Sequence, residues 1–173
     1  MADVDFEEVV ALHYGALYRF ALSLSRSEHE AGDLTQQTFV RWAEKGETLR
    51  DRSKAKSWLF STLYREFLGG RRRSARFPER ELDGAAAAGE LPVVAPAVEA
   101  RVDGAAVLAA LRQIDEAFRA PLALFYLHGH SYKEIASILD IPIGTVMSRL
   151  ARGKEALRAR LLPGAEPAAE IHP

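Results

Sequence analysis

The chain is expected to be all-α: two small helical domains joined by a flexible linker, the second carrying a helix-turn-helix. Three observations predict this. Apolar residues recur at helical spacing from Phe6 to Leu68 and again from Ala105 to Leu157. Between these blocks, Pro78, Gly84, Ala85 to Ala88, Gly89, Pro92 and Pro96 crowd a stretch with no aromatic residue after Phe77. Such a composition buries little surface and reads as a tether, or as a short alanine helix with frayed ends. Finally, SYKEIASILDIPIGTVMSRLARGKEALRAR, from Ser131 to Arg160, sets a short amphipathic segment, a break and a basic helical segment in the order of a helix-turn-helix. The division is therefore domain 1–76, linker 77–103, domain 104–163 and a disordered tail 164–173.

The first helix carries a stripe of Phe6, Val9, Val10, Leu12, His13, Leu17, Phe20, Ala21 and Leu24. SRSEHEAGD interrupts it, and Asp33 or Thr35 is expected to cap the next segment, DLTQQTFVRWAEKG, whose apolar residues are Leu34, Phe39, Val40 and Trp42. Gly46 to Ser53 reads as a polar loop. A long segment, SKAKSWLFSTLYREFLGGRRR, follows with Trp58, Leu59, Phe60, Leu63, Tyr64, Phe67 and Leu68; Gly69 and Gly70 weaken its end before three arginines.

In the second block, Val107, Leu108, Leu111 and Ile114 form one stripe, and Phe118, Leu122, Leu124, Phe125 and Leu127 another. Pro121 is best tolerated near a helix start, so a helix is expected to begin beside it. Ser131 stands three residues before Glu134, the reciprocal capping pattern, and Ile135, Ala136, Ile138 and Leu139 then share one side. Pro142 disfavours a helical Ile141, Gly144 tolerates a positive φ at the turn, and Thr145 is expected to cap the last helix. That helix should turn Val146, Leu150 and Leu157 inward, and Met147, Ser148, Arg149 and Arg152 outward. Arg149, Arg152, Lys154, Arg158 and Arg160 against the single acid Glu155 make it strongly basic, suited to phosphates along its length and to base edges near its start.

Charge distribution says more than the net charge of −1. Residues 1–76 carry 13 basic and 11 acidic side chains, residues 77–103 carry 2 and 6, and residues 104–163 carry 8 and 5. Two mildly basic blocks thus flank an acidic connector, a pattern a single-domain enzyme does not require. With no cysteine, disulfides and thiolate metal sites are excluded. No run is long and apolar enough to span a bilayer, and the acidic start lacks a signal peptide's basic region, so a soluble, cytoplasmic protein is expected. His128 and His130 flank Gly129 without further converging ligands, Ser131 belongs to a cap rather than a triad, and no glycine-rich phosphate loop occurs, so neither metal nor catalysis is expected.

An N-terminal helical block with DLTQQTF, a W-L-F helix ending in basic residues, a variable linker and a terminal SYKEIA…GTVMSRLARG helix-turn-helix resemble a bacterial RNA polymerase sigma factor, specifically the short, two-domain extracytoplasmic-function (ECF) class. The likeness covers residues 6–73 and 105–162. It implies a non-enzymatic promoter-specificity factor whose partners are core RNA polymerase, promoter DNA and an anti-sigma factor, with no cofactor, no small-molecule substrate and no membrane insertion. The polymerase-binding set becomes Asp33, Leu34, Gln36, Gln37, Thr38 and Arg41, exposed except for Leu34, which packs partly inward with Phe39 and Trp42.

For the minus-ten element the likeness implies the loop Gly46 to Ser53 and the following helix, with Arg50, Lys54, Lys56, Tyr64, Arg65, Arg71, Arg72 and Arg73; single-strand capture needs rings for bases and cations for the backbone. Trp58 and Phe60 are further rings, with core packing the favoured role for Trp58. For the minus-thirty-five element it implies Thr145, Met147, Ser148, Arg149, Arg152 and Lys154. The chain departs from the family at Tyr64 and Arg65 (usually Arg-Asn), at Gly69 (often an acid), and at Phe125 and Met147 (often basic), so its promoter preference is expected to differ. The competing reading is a stand-alone helix-turn-helix regulator, which would bind DNA tightly by itself, usually as a dimer on paired half-sites.

Overall fold

A computed structural model describes residues 2–25, 27–76, 104–162 and 164, with side chains from Asp5 onward. The expected linker, and all of the expected tail except Gly164, lie outside the described residues. Among the described residues the protein is helical without strands. The order is α1 (Ala2–Leu24), α2 (Glu28–Lys45), two 3-10 turns (Gly46–Thr48, Arg52–Lys54), α3 (Ala55–Arg76), α4 (Gly104–Arg112), α5 (Glu116–Leu122), a π-helical turn (Ala123–Leu127), α6 (Tyr132–Leu139) and α7 (Ile143–Leu161). None of these helices is long and apolar enough to cross a membrane.

In the N-terminal half, α1, α2 and α3 pack on one another. Leu17, Phe20, Leu59, Phe60 and Leu63 are wholly buried, each side chain stabilising by about 1.5–3 kcal/mol relative to exposure. Leu12, expected in the stripe, is instead 72% exposed, because it lies off the buried line of Leu17, Phe20, Ala21 and Leu24. The cap of α2 is neither Asp33 nor Thr35 but Ser27, whose Oγ accepts from the Glu30 amide at 3.1 Å. Thr35 is buried mid-helix and donates to the Ala31 carbonyl at 2.8 Å. Nor do Gly69 and Gly70 end α3, which runs on to Arg76. Trp58 is half-buried and meets Trp42 edge-on, ring centroids 5.3 Å apart, in keeping with a packing role.

In the C-terminal half, α5 and α7 form the main contact, with α4 and α6 alongside. Asp115 caps α5 by accepting from the Ala117 amide, so Pro121 sits inside the helix rather than at its start. Having no N–H, it withdraws one intrahelical bond, and the chain widens into the π turn directly afterwards. The Ser131–Glu134 capping box forms in both directions, at 2.9 and 3.2 Å. The left-handed turn before α7 falls on Asp140 (φ 53°), a residue type that tolerates it, and not on Gly144. Helix α7 starts at Ile143 with Pro142 as its cap residue, which places Thr145 inside the helix.

Helices α5 and α7 approach closely at Gly153, where a Cβ would stand 2.9 Å from Leu122 Cδ1 and 3.0 Å from Phe118 Cβ. Gly153→Val is therefore expected to lower stability by about 2 kcal/mol, because overpacking outweighs the gain from removing a helical glycine. Denaturant titration checks this: an unchanged midpoint would mean α5 yields freely.

The halves also meet one another. Helix α3 packs on α6, and α1 on α4, α5 and the π turn. The seam is largely aromatic: Phe60 lies 5.0 Å from the His128 ring and 4.9 Å from His130, with Phe20 5.9 Å from His128. Its polar links include Lys56 Nζ donating to the His128 carbonyl at 3.3 Å, Arg112 Nε donating to the Leu22 carbonyl at 3.4 Å, and an ion pair of Arg71 with Glu116.

Candidate nucleic-acid and polymerase interfaces

Helix α7 buries Val146, Leu150, Gly153 and Leu157, a spacing that turns one side to the core. Met147, Ser148, Arg152 and Lys154 are exposed as expected, while Thr145 and Arg149 are half-buried. The basic character thus lies on the solvent side of a helix fixed by its apolar side.

Arg50, Lys54, Lys56, Arg65, Arg71, Arg72 and Arg73 are all exposed along the loop and α3; Tyr64 is half-buried. Asp51 shapes the loop end: its Oδ1 accepts from the Ser53 amide at 3.0 Å and hydroxyl at 2.6 Å, which holds its carboxyl below the usual range. Two residues of the expected minus-ten set are already engaged by the other half. Lys56 and Arg71 make the seam contacts above. Burial raises the Tyr64 phenol's pKa, and the Arg149 charge opposes that rise.

On α2, Asp33 and Gln36 are exposed and Leu34, Gln37 and Arg41 half-buried. Thr38 corrects the sequence expectation of exposure: it is fully buried and donates to the Leu34 carbonyl at 2.7 Å. An i−4 hydroxyl bond of this kind lets a threonine sit inside a helical core. Arg41 Nε pairs with Glu66 Oε1 of α3 at 3.0 Å, and the Glu66 hydrogen bond raises the guanidinium's pKa. This pair borders two grooves. One, of 360 Å³, includes Asp33, Leu34, Gln37 and Arg73; the other, of 440 Å³, includes Lys45, Trp58 and Arg65.

Sequence reasoning read His128–His130 as an ordinary loop and missed its burial. Gly129 takes φ 67°, and both flanking histidines turn inward, 9% and 4% exposed. Neither Nε2 has a hydrogen-bond partner among the described residues. Burial, then the charges of Arg19, His130 and Lys56, pushes His128 down to about 3. His130 is lowered chiefly by burial and by Lys56, with Glu134 opposing from 3.3 Å. No sequence signal pairs these histidines with Phe20 and Phe60, which lie more than 60 residues away. Among the described residues, no three His, Cys, Asp or Glu side chains converge in a metal-binding group.

Comparison with known proteins finds two family profiles along the chain. The sigma-70 region 2 family profile matches residues 9–77, and the sigma-70 region 4 profile matches residues 104–157. The chain is 35% identical over 152 residues to the ECF RNA polymerase sigma factor SigL of Mycobacterium tuberculosis, covering 86% of this chain and 84% of that protein. It is 34% identical over 155 residues to the ECF RNA polymerase sigma factor SigE of Mycolicibacterium smegmatis, covering 88% of this chain but 60% of that longer protein. Among solved structures, the sigma factor RpoE of Bartonella quintana, in complex with the anti-sigma factor NepR, matches with TM-score 0.72 at 30% identity, over 93% of this chain and 99% of that one. CnrH, solved with the cytosolic domain of CnrY, shares the fold at TM-score 0.61 and 22% identity, over 92% of this chain and 89% of that one.

Proposed function

The chain belongs to the ECF class of RNA polymerase sigma factors, and from that membership we propose a division of labour among its surfaces. As a factor of this class it directs core RNA polymerase to a particular promoter set for transcription initiation. The solvent face of α2, with Asp33, Gln36, Gln37 and Arg41 and the edge of Leu34, docks on the polymerase. The loop after α2 and the basic side of α3, with Arg50, Lys54, Lys56, Tyr64, Arg65 and Arg71 to Arg73, take the minus-ten element. Helix α7, with Thr145, Met147, Ser148, Arg149, Arg152 and Lys154, takes the minus-thirty-five element. The chain supplies binding energy and strand separation, while phosphodiester chemistry stays with the polymerase.

The observation that carries this reading is the matched order of the two sigma-70 regions, each coinciding with one helical half and each half bearing a basic surface. The stand-alone regulator reading has no comparable support, since it leaves the region 2 match unused. Because Lys56 and Arg71 bond to the C-terminal half in the closed arrangement, promoter engagement requires the halves to part. The partner suited to hold the closed form is an anti-sigma factor, the kind of protein bound to the Bartonella quintana relative.

Transcription reconstituted with core polymerase over a promoter library tests the reading. Initiation from a discrete promoter subset is expected only when this chain is present. Asp33→Ala combined with Gln37→Ala should weaken core association about tenfold, corresponding to roughly 1.4 kcal/mol, without shifting the denaturation midpoint. A chain that never associates with core polymerase would end the proposal.

A further inference from the structure

We propose that Met147 reads a thymine methyl group in the minus-thirty-five element, so that this factor selects thymine there by apolar contact; the inference rests on α7 being the reading helix proposed above. Met147 is 53% exposed in the second turn of α7, immediately beside the buried Val146 and on the solvent side. One turn earlier, at i−4, Ile143 is 50% exposed, so the two side chains form a continuous apolar surface on the helix start. That surface sits on a helix otherwise furnished with Arg149, Arg152, Lys154, Arg158 and Arg160. In a helix-turn-helix it is the N-terminal turns of the reading helix that reach base edges.

The chemistry of the side chain restricts what it can read. A thioether carries no donor and is a weak acceptor, so it cannot recognise guanine N7 and O6, nor neutralise a phosphate. Of the groups on the major-groove floor, the C5-methyl of thymine is the apolar one. Gly144 leaves room for approach, since a Cβ there would meet nothing within 4 Å, and Ser148 on the next residue is small and exposed. Arg152 remains available for the polar contacts that Met147 cannot make.

The experiment uses holoenzyme assembled from core polymerase and the full chain, on a promoter at which it initiates. Each thymine of the minus-thirty-five element is replaced singly by deoxyuridine, which deletes only the methyl group. One replacement is expected to weaken binding about three- to tenfold, as suits the loss of one buried methyl group. Met147→Ala should abolish that difference, Met147→Leu should retain it, and Met147→Lys should lose it and move the preference towards guanine. If every deoxyuridine duplex binds as tightly as its parent while Arg152→Ala still weakens binding, the methyl assignment is wrong and the reading helix stands. If the uridine penalty persists undiminished in Met147→Ala, the assignment is equally wrong. If neither substitution on α7 alters binding, the assignment of α7 itself falls, and this inference with it.

Discussion

Lowering the pH from 7 to about 4.5 should part the two helical halves. The cause is His128, held down to about 3 against an ordinary 6.5 by its burial between the halves, with Arg19 on α1, Lys56 on α3 and His130 adding like charge. A histidine whose folded pKa is depressed is neutral in the closed form and takes up a proton when released. Its contribution to closure is therefore complete above 6.5 and is lost progressively as the pH falls towards 3. The whole gap corresponds to a ceiling of about 5 kcal/mol, of which somewhat more than half is lost by pH 4.5. His130 is lowered too, chiefly by burial, and acts in the same direction. Glu134 acts in a lower window: Ser131 holds its carboxyl below 4.5, so its contribution persists until the pH falls beneath that value. The interval from 6.5 to 4.5 thus isolates the histidines.

Opening is the cheaper response to that proton. The polar links named across the seam are each weak: the Lys56 bond to the His128 carbonyl and the Arg112 bond to the Leu22 carbonyl are each worth about 1 kcal/mol, and the exposed Arg71–Glu116 pair between zero and about 1 kcal/mol. Separating the halves rehydrates His128 without dismantling either helical core. Because the chain has no cysteine, dye labels at Glu47→Cys and Glu155→Cys report the separation directly. Energy transfer should fall between pH 6.5 and 4.5 in the parent and fall much less over that interval in His128→Leu, where His130 alone is left to respond. The same acid transition in both proteins would remove His128 as its cause.

Local rules made much of this fold legible, and its failures have local reasons. The Ser131–Glu134 box and the inward set Val146, Leu150 and Leu157 follow from neighbours three or four residues away, and both are present. The starts of α2 and α7 were misplaced because several residues competed for one role. Ser27 precedes Asp33 and Thr35, and once the helix begins there, Thr35 and Thr38 satisfy their hydroxyls on carbonyls one turn back and disappear into the core. Asp140 takes the left-handed turn, which frees Gly144 to be helical. The basic surfaces of α3 and α7 could be placed from charge and spacing. The partial covering of α3 by the C-terminal half could not, because the seam joins Phe20 and Phe60 to His128 and His130 across more than 60 residues of sequence, and no periodicity encodes which two faces meet.

Phe60→Ala should produce the largest loss of stability, about 3–5 kcal/mol. The ring is fully buried, lies 5.2 Å from Phe20 within its own half, and contacts both seam histidines. Removing it therefore leaves a cavity in the N-terminal core and withdraws the aromatic support for closure, two effects that one variant cannot separate. Phe60→Leu separates them. Leucine retains most of the apolar volume, so the fluorescence-detected denaturation midpoint of Trp42 and Trp58 should move by no more than about 1.5 kcal/mol. The ring contacts with His128 and His130 are lost all the same, each worth about 0.5–1.5 kcal/mol, so the labelled protein should open at a higher pH than the parent. Glu116→Ala is the counterpart, deleting the exposed ion pair and leaving the rings, and it should change the opening pH little. Were Glu116→Ala to open the seam while Phe60→Leu left it closed, the halves would be held by charge and not by their aromatic contact, and the acid response would have to arise from the carboxylates, below pH 4.5.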